Sequence, residues 1–203
     1  MEIIEKLVNN LRARRIRAVV VENVSEARSW ILREIPSDAA VGFGNSQTLK
    51  TMDLARLLAE RGNTIYDKTL AQTQEEVRRL KVQALVADWF VTGINAISSD
   101  GHIVNIDHSG NRVAGLLYGP RRVLLIAGRN KIVPTLEDAI QRARNVAAPR
   151  NARRAGLHPP CVELGRCVDC RCEDRVCNSL VVIEGQSDPT RMTVVLVKQP
   201  LGF

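Results

Sequence analysis

Compact β-branched runs alternate along this chain with segments whose apolar residues recur at helical spacing, and that alternation is the strongest constraint on its fold. Ile3, Ile4, Leu7, Val8 and Leu11 mark a first helix, and Ile16 to Val21 follows as a strand. Ser25 opens a second helix that ends before Pro36, where proline disfavours further turns. Ala39 to Phe43 reads as a short buried strand. The polar turn after it leads into one helix carrying Leu49, Met52, Leu54, Leu57 and Leu58, closed by Gly62. Thr64 to Tyr66 is a strand and Thr73 to Ala87 a helix. Asp100-Gly101 then separates two β-rich runs, Trp89 to Ile97 and His102 to Ile106, which is a hairpin signal. Val113 to Leu117 is a short helix, Arg122 to Ala127 a strand and Leu136 to Ala147 a helix. The expected class is α/β, a largely parallel sheet flanked by helices with a β-hairpin insertion. Residues 1–150 form the α/β domain. Residues 151–203 form a cysteine-rich segment packed on it, ending in a closing β-hairpin of Leu180 to Ile183 and Met192 to Val197.

No apolar run approaches the roughly 20 residues that span a bilayer, so membrane insertion is not expected. The N-terminal stretch mixes acidic and basic residues into its apolar stripe, unlike a signal peptide, and the expected location is cytoplasmic. The net charge is +7, and much of the excess sits at Arg142, Arg144, Arg150, Arg153 and Arg154. Aromatic residues are only 3% of the chain, too few for a base-stacking platform, which disfavours nucleic acid as a partner. A solvated basic face, or one meeting an acidic partner, is the better reading of that segment.

Two polar stretches are candidate ligand sites. Gly42-Phe43-Gly44-Asn45-Ser46 joins a strand to a helix start and can turn backbone N–H groups toward an anion; a tight turn with a helix cap explains it equally well. Asn105 to Arg112 concentrates a carboxylate, amides and a guanidinium in a loop. Asp107 and Arg112 can grip a polar ligand between them, although an ion pair that merely holds the loop is the plainer reading. With only His102, His108 and His158 in the chain, no motif pairs a histidine with a nucleophile, so a hydrolytic triad is disfavoured.

All five cysteines lie between Cys161 and Cys177: Cys161, Cys167, Cys170, Cys172 and Cys177. In a reducing compartment such a cluster signals metal or redox chemistry rather than structural disulfides. Buried thiols acting as small hydrophobes would not bunch among Asp169, Arg171, Glu173, Asp174 and Arg175. Zinc and an iron-sulfur cluster both accept four thiolates. One close pair, rather than the two of a zinc ribbon, favours iron-sulfur, and Arg166, Arg171 and Arg175 can offset a cluster's negative charge.

Taken in order, these residues resemble the LUD-domain, or lactate-utilisation, family, and in particular its C-type proteins with an added C-terminal cysteine motif. The likeness is carried by Gly42 to Leu49, Thr92 to Ile97 with Asp100-Gly101, Asn105 to Val113, Gly119-Pro120 and Gly128 to Val133. Pro160-Cys161, Cys167 to Cys170, Arg175 to Asn178 and Leu201 to Phe203 extend it. The resemblance implies a fold similar to the NagB, RpiA and CoA-transferase-like group. It implies four cluster ligands, Cys161, Cys167, Cys170 and Cys177, with a 4Fe-4S cluster as cofactor and zinc as the alternative; Cys172 is the extra thiol. It also implies a ligand pocket for an anionic small molecule at Gly42, Gly44, Asn45, Ser46, Thr92, Asn95, Asp107, Asn111 and Arg112. The expected function is an iron-sulfur accessory or electron-transfer protein of a lactate or 2-hydroxy acid oxidation system, beside other iron-sulfur subunits of an oxidoreductase complex. The alternative is a zinc-stabilised module that binds a phosphorylated metabolite or nucleotide without redox activity. No catalytic residue is assigned, and a homo-oligomer is left open.

Overall fold

The computed structural model describes residues 2–203. Helices α1 (Glu2–Ala13) and α2 (Val24–Glu34) flank strand β1 (Arg17–Val21), and β2 (Ala40–Phe43) follows. Next come α3 (Gln47–Met52), α4 (Leu54–Glu60), β3 (Thr64–Tyr66), a short 3-10 turn (Lys68–Leu70), α5 (Gln74–Leu85) and β4 (Trp89–Gly93). The middle of the chain holds β5 (Ala96–Ser98), β6 (Ile103–Asp107), α6 (Asn111–Leu117), β7 (Arg122–Gly128) and β8 (Ile132–Val133). Helix α7 (Leu136–Arg142) passes through a π-helical turn (Ala143–Ala147) into α8 (Ala148–Arg154). Then α9 (Cys161–Leu164), β9 (Ser179–Ile183) and β10 (Met192–Val197) complete the chain.

Six parallel strands form the central sheet in the order β1-β10-β7-β4-β2-β3, giving the expected α/β class. Helices cover both faces. Ala27 and Ile31 of α2, Leu49 and Met52 of α3, and Leu54 and Leu58 of α4 bury one face against Val41, Val91, Leu124 and Val195. Leu7 and Leu11 of α1, Ala84 of α5 and Leu116 of α6 bury the other against Phe90, Val123, Leu125 and Val194. A smaller sheet, β8-β5-β6-β9, holds the expected hairpin in part: the run Trp89 to Ile97 splits, β4 joining the central sheet, and only β5 runs antiparallel to β6 around Gly101, whose φ of 88° suits glycine. Ile97 and Ile103 of this sheet face the main core, while Ala96, Val104 and Ile106 pack under Ala139, Ala143, Ala148 and Ala152 of the α7–α8 arm.

The closing hairpin does not form. Strand β10 lies in the interior of the central sheet, between β1 and β7, and β9 pairs antiparallel with β6 in the small sheet. The reason is burial: Met192 to Val197 is buried at every position, which suits an inner parallel strand covered on both faces. Leu180 of β9 is exposed, which suits an edge. The single helix expected from Leu49 to Leu58 is likewise two, because Asp53 adopts a left-handed backbone (φ 49°) and breaks it. Caps set other boundaries: the Asn23 side chain accepts the Glu26 N–H, starting α2 before Ser25, and Thr135 forms a capping box with Asp138 at α7.

Among the described residues no helix is long and apolar enough to cross a membrane. The basic segment expected as a solvated face is partly turned inward. Arg142 donates to the carbonyls of Asn130 and Asn95, and the half-buried Arg154 to the Asn151 side chain at 2.6 Å. Only Arg150 and Arg153 of that segment are exposed.

Candidate functional site

The chain leaves β2 through α3 and α4 toward β3, then returns through α5, on the opposite face of the sheet, to β4 on the other side of β2. The connections therefore diverge beyond the carboxyl ends of β2 and β4, where open α/β sheets form their ligand crevices. A cavity of about 200 Å³ lies there. Its wall takes Asn45 to Thr48 from the end of β2, Ile94 and Asn95 after β4, Asp107 to Ser109, Asn111 and Arg112 after β6, and Lys131 after β7. Lys68, Lys81, Asn151, Arg154, Val176 and Phe203 also line it, with apolar residues of β6 and the α8 arm.

Arg112 is the bracket of this crevice. Its guanidinium donates to the Gly93 carbonyl (3.1 Å), Asn95 Oδ1 (2.9 Å) and the Ile106 carbonyl (2.6 Å), so it ties the end of β4 to the end of β6. Asp107 Oδ2 lies 3.7 Å from Arg112 Nε and accepts the backbone N–H of Arg112 (3.0 Å) and Val113 (3.1 Å) at the start of α6. Both side chains are nearly buried, at 13% and 10% exposure. Burial disfavours the charged guanidinium, and Asp107 opposes that effect.

Of the expected pocket residues, Asn45, Ser46, Asn95, Asp107, Asn111 and Arg112 are brought together at the cavity. Gly42, Gly44 and Thr92 stand outside its lining, a correction with a packing cause. A side chain at Gly42 would meet the Ala84 carbonyl oxygen at 2.6 Å, and one at Gly44 would strike the Thr92 side chain, so these residues let strands and helix approach closely. Ser46 makes no side-chain cap to α3, and buried Asn45 Oδ1 and Arg154 Nε have no hydrogen-bond partner.

Four basic side chains of the wall lay outside the residues expected at the pocket: Lys68, Lys81, Lys131 and Arg154. Lys131 is 2% exposed, and its Nζ donates to Thr48 Oγ1 at 2.9 Å. Burial, with Arg142 and Arg112 adding, lowers its ammonium to about 7. Lys68 is also lowered, by burial first and then by Lys81.

The cysteine segment lies directly against this cavity. Asn178 donates its backbone N–H to the Asp107 carbonyl (3.0 Å) and its side chain to the His108 carbonyl (3.1 Å), while Val176 lines the cavity itself. Cys167 is anchored through its N–H to Asn145 Oδ1 (2.8 Å) beside the π-helical turn. Arg175 donates to the Cys170 and Cys177 carbonyls and pairs with Asp169 at 2.9 Å. The Cys161 thiol is pushed up by burial and then by Cys170, Cys177 and Cys167; the Cys177 thiol is pushed up by burial, opposed by Arg175, with Cys167 and Cys170 adding. Cys172 touches the set, its sulfur 3.6 Å from that of Cys170 and its thiol pushed up by burial and that neighbour. All five thiols are free of disulfides. Among the described residues no three of His, Cys, Asp and Glu are gathered as a ready single-ion site. Arg166 and Arg171 are exposed, and Arg175 is the arginine set among the thiols.

Sheet and crevice together define an α/β protein with a cation-lined cavity at its topological switch point. The family described as LUD domain matches residues 4–197, and the chain belongs to that family. No curated protein matches it. Its fold is similar to that of a DUF162 family protein from Deinococcus radiodurans, at 17% identity and a TM-score of 0.57, covering 97% of this chain and 96% of the other. Ribose 5-phosphate isomerase A from Neisseria gonorrhoeae superposes at a TM-score of 0.34 and 14% identity, over 66% of this chain and 65% of the other, too distant to carry an argument.

Proposed function

We propose that this LUD-domain protein is an iron-sulfur electron-transfer component of a system that oxidises lactate or a similar 2-hydroxy acid. The reading is supported by five disulfide-free thiols sharing one segment, Cys161 to Cys177, against the cavity, with Arg175 donating to the Cys170 and Cys177 carbonyls; the choice of Cys161, Cys167, Cys170 and Cys177 as ligands follows the family resemblance. Four thiolates are the donor set of a four-iron cluster, which would accept and release single electrons. Cys161 from α9, Cys167 and Cys170 from the following loop and Cys177 ahead of β9 would hold it. Arg175 beside them would offset its negative charge. Lactate utilisation is the role suggested by membership of the LUD family, and the adjoining cavity would hold the anionic small molecule.

A second reading, a zinc-stabilised binding module for a phosphorylated metabolite or nucleotide, is favoured by the same four thiols and by the basic cavity wall. Protein isolated without exposure to oxygen separates the two. The first reading predicts about four iron and four sulfide per chain with a broad visible absorption that dithionite bleaches. Stoichiometric zinc without sulfide would overturn it in favour of the second.

A further inference from the structure

We infer that the crevice beyond β2 and β4 recognises a dianionic small molecule, a ligand with two negative charges rather than the single one of a 2-hydroxy monocarboxylate. The inference deepens the anion-site part of the proposed function and is independent of any metal centre. Five basic side chains line the cavity, Lys68, Lys81, Arg112, Lys131 and Arg154, against one carboxylate, Asp107. Arg112 and Asp107 are spent on each other and on the backbone of β4, β6 and α6. Among the described residues none of the other four is in an ion pair. Their only direct side-chain partners are neutral: Thr48 for Lys131, Ser109 for Lys81 at 3.3 Å and Asn151 for Arg154.

Crowding four cations into so small a space is unfavourable for the fold alone, since each disfavours the charge of the next. Lys68 already feels Lys81 and, less, Arg154 in this way, with Asp107 and Asp67 opposing them. One negative charge offsets one of the four; a dianion offsets two, and its oxygens can accept from the basic side chains of the wall. The volume of about 200 Å³ admits a small anionic head group.

Lys131 gives the binding a proton signature. It is faced by Thr48 from α3, Arg112 from α6 and Arg142 from α7, with Lys68, Lys81, Arg154, Asp107 and His108 elsewhere on the wall. Its ammonium loses its proton near pH 7 in the free protein, so a dianion bound at higher pH draws a proton onto it. Affinity then falls as pH rises through 7, and the binding heat at pH 8.5 depends on the buffer's ionisation enthalpy.

The test is calorimetric titration of the full chain with sulfate, malonate and L-lactate, at ionic strength fixed with chloride. Sulfate is a dianion throughout this pH range. At pH 6.5 sulfate or malonate is expected to bind about tenfold or more tightly than lactate, because a second charge-assisted contact is added. Sulfate leading indicates a phosphoryl-type group, and malonate leading paired carboxylates. Lys131→Met should weaken dianion binding about tenfold and abolish the proton uptake; Lys131→Arg should restore affinity without it. Lys81→Gln, nearer the surface, should weaken dianions more than lactate and covers the case in which Lys131→Met does not fold. Lactate binding as tightly as both dianions would overturn this inference while leaving the proposed function standing. Failure of all three to bind would remove the anion site from both.

Discussion

Replacing Arg112 with alanine is expected to lower the free energy of unfolding by about 3–5 kcal/mol, the cost of leaving one member of a buried ion pair without its partner. The guanidinium satisfies the Gly93 and Ile106 carbonyls and the Asn95 side chain, and it lies beside Asp107. Its removal takes a donor from the Gly93 and Ile106 carbonyls and the countercharge from Asp107, while Asn95 Oδ1 keeps the Ile106 N–H and Asp107 keeps the N–H groups of α6. Arg112→Lys should recover only a small part, because one ammonium cannot fork to acceptors on two strand ends. Urea denaturation measures both. Arg56, which pairs with Asp53 and Glu60 on the surface, is the control, and its alanine variant should leave the midpoint near that of the parent. A loss below about 1 kcal/mol for Arg112→Ala would show that water replaces the bracket and that Arg112 is not what joins the two sheets.

Cys177→Ser is expected to act on two properties at once. If Cys177 is a cluster ligand, iron per chain in oxygen-free protein should fall from about four to three or fewer. The neighbouring residues extend the effect: Val176 lines the cavity, and Asn178 holds the carbonyls of Asp107 and His108. Losing the centre that fixes Cys177 should therefore also weaken sulfate binding, as read by calorimetry. Cys172→Ser should change neither, since Cys172 touches only Cys170 among the thiols. Equal iron loss in both variants would show that the ligand set includes Cys172.

The fold was legible wherever a local pattern decided the structure. The β-branched runs became strands, Asp100-Gly101 became the β5–β6 turn, and Pro36 follows the end of α2. What was not legible depended on partners far along the chain. Met192 to Val197 has the same pattern whether it closes a hairpin or enters the central sheet; only β1 and β7, each in need of a neighbour, decide the matter. The break at Asp53 was hidden because leucines continue across it. At the site, Asn45, Ser46, Asn95, Asp107, Asn111 and Arg112 converge as their polar clustering suggested. Gly42 and Gly44 turned out to serve close packing, a use of glycine that local sequence does not separate from ligand approach. Lys68, Lys81 and Lys131 went unread because an isolated basic residue in a polar stretch looks like solvated surface, and Arg154 was read with its neighbours as part of a solvated basic face or one meeting an acidic partner. Three separate connections bring them to one wall, and the sheet order that does so depends on pairings across the whole chain.

The proposed redox centre at Cys161, Cys167, Cys170 and Cys177 would sit against the cation-lined crevice. Its most direct test is a potentiometric titration of oxygen-free protein in sulfate and in chloride at matched ionic strength. The expected result is a one-electron centre whose midpoint is lower in sulfate, because a dianion bound beside it opposes the extra negative charge of the reduced state. Protein without a reducible centre, or with the same midpoint in both salts while sulfate binding is saturated, would contradict it.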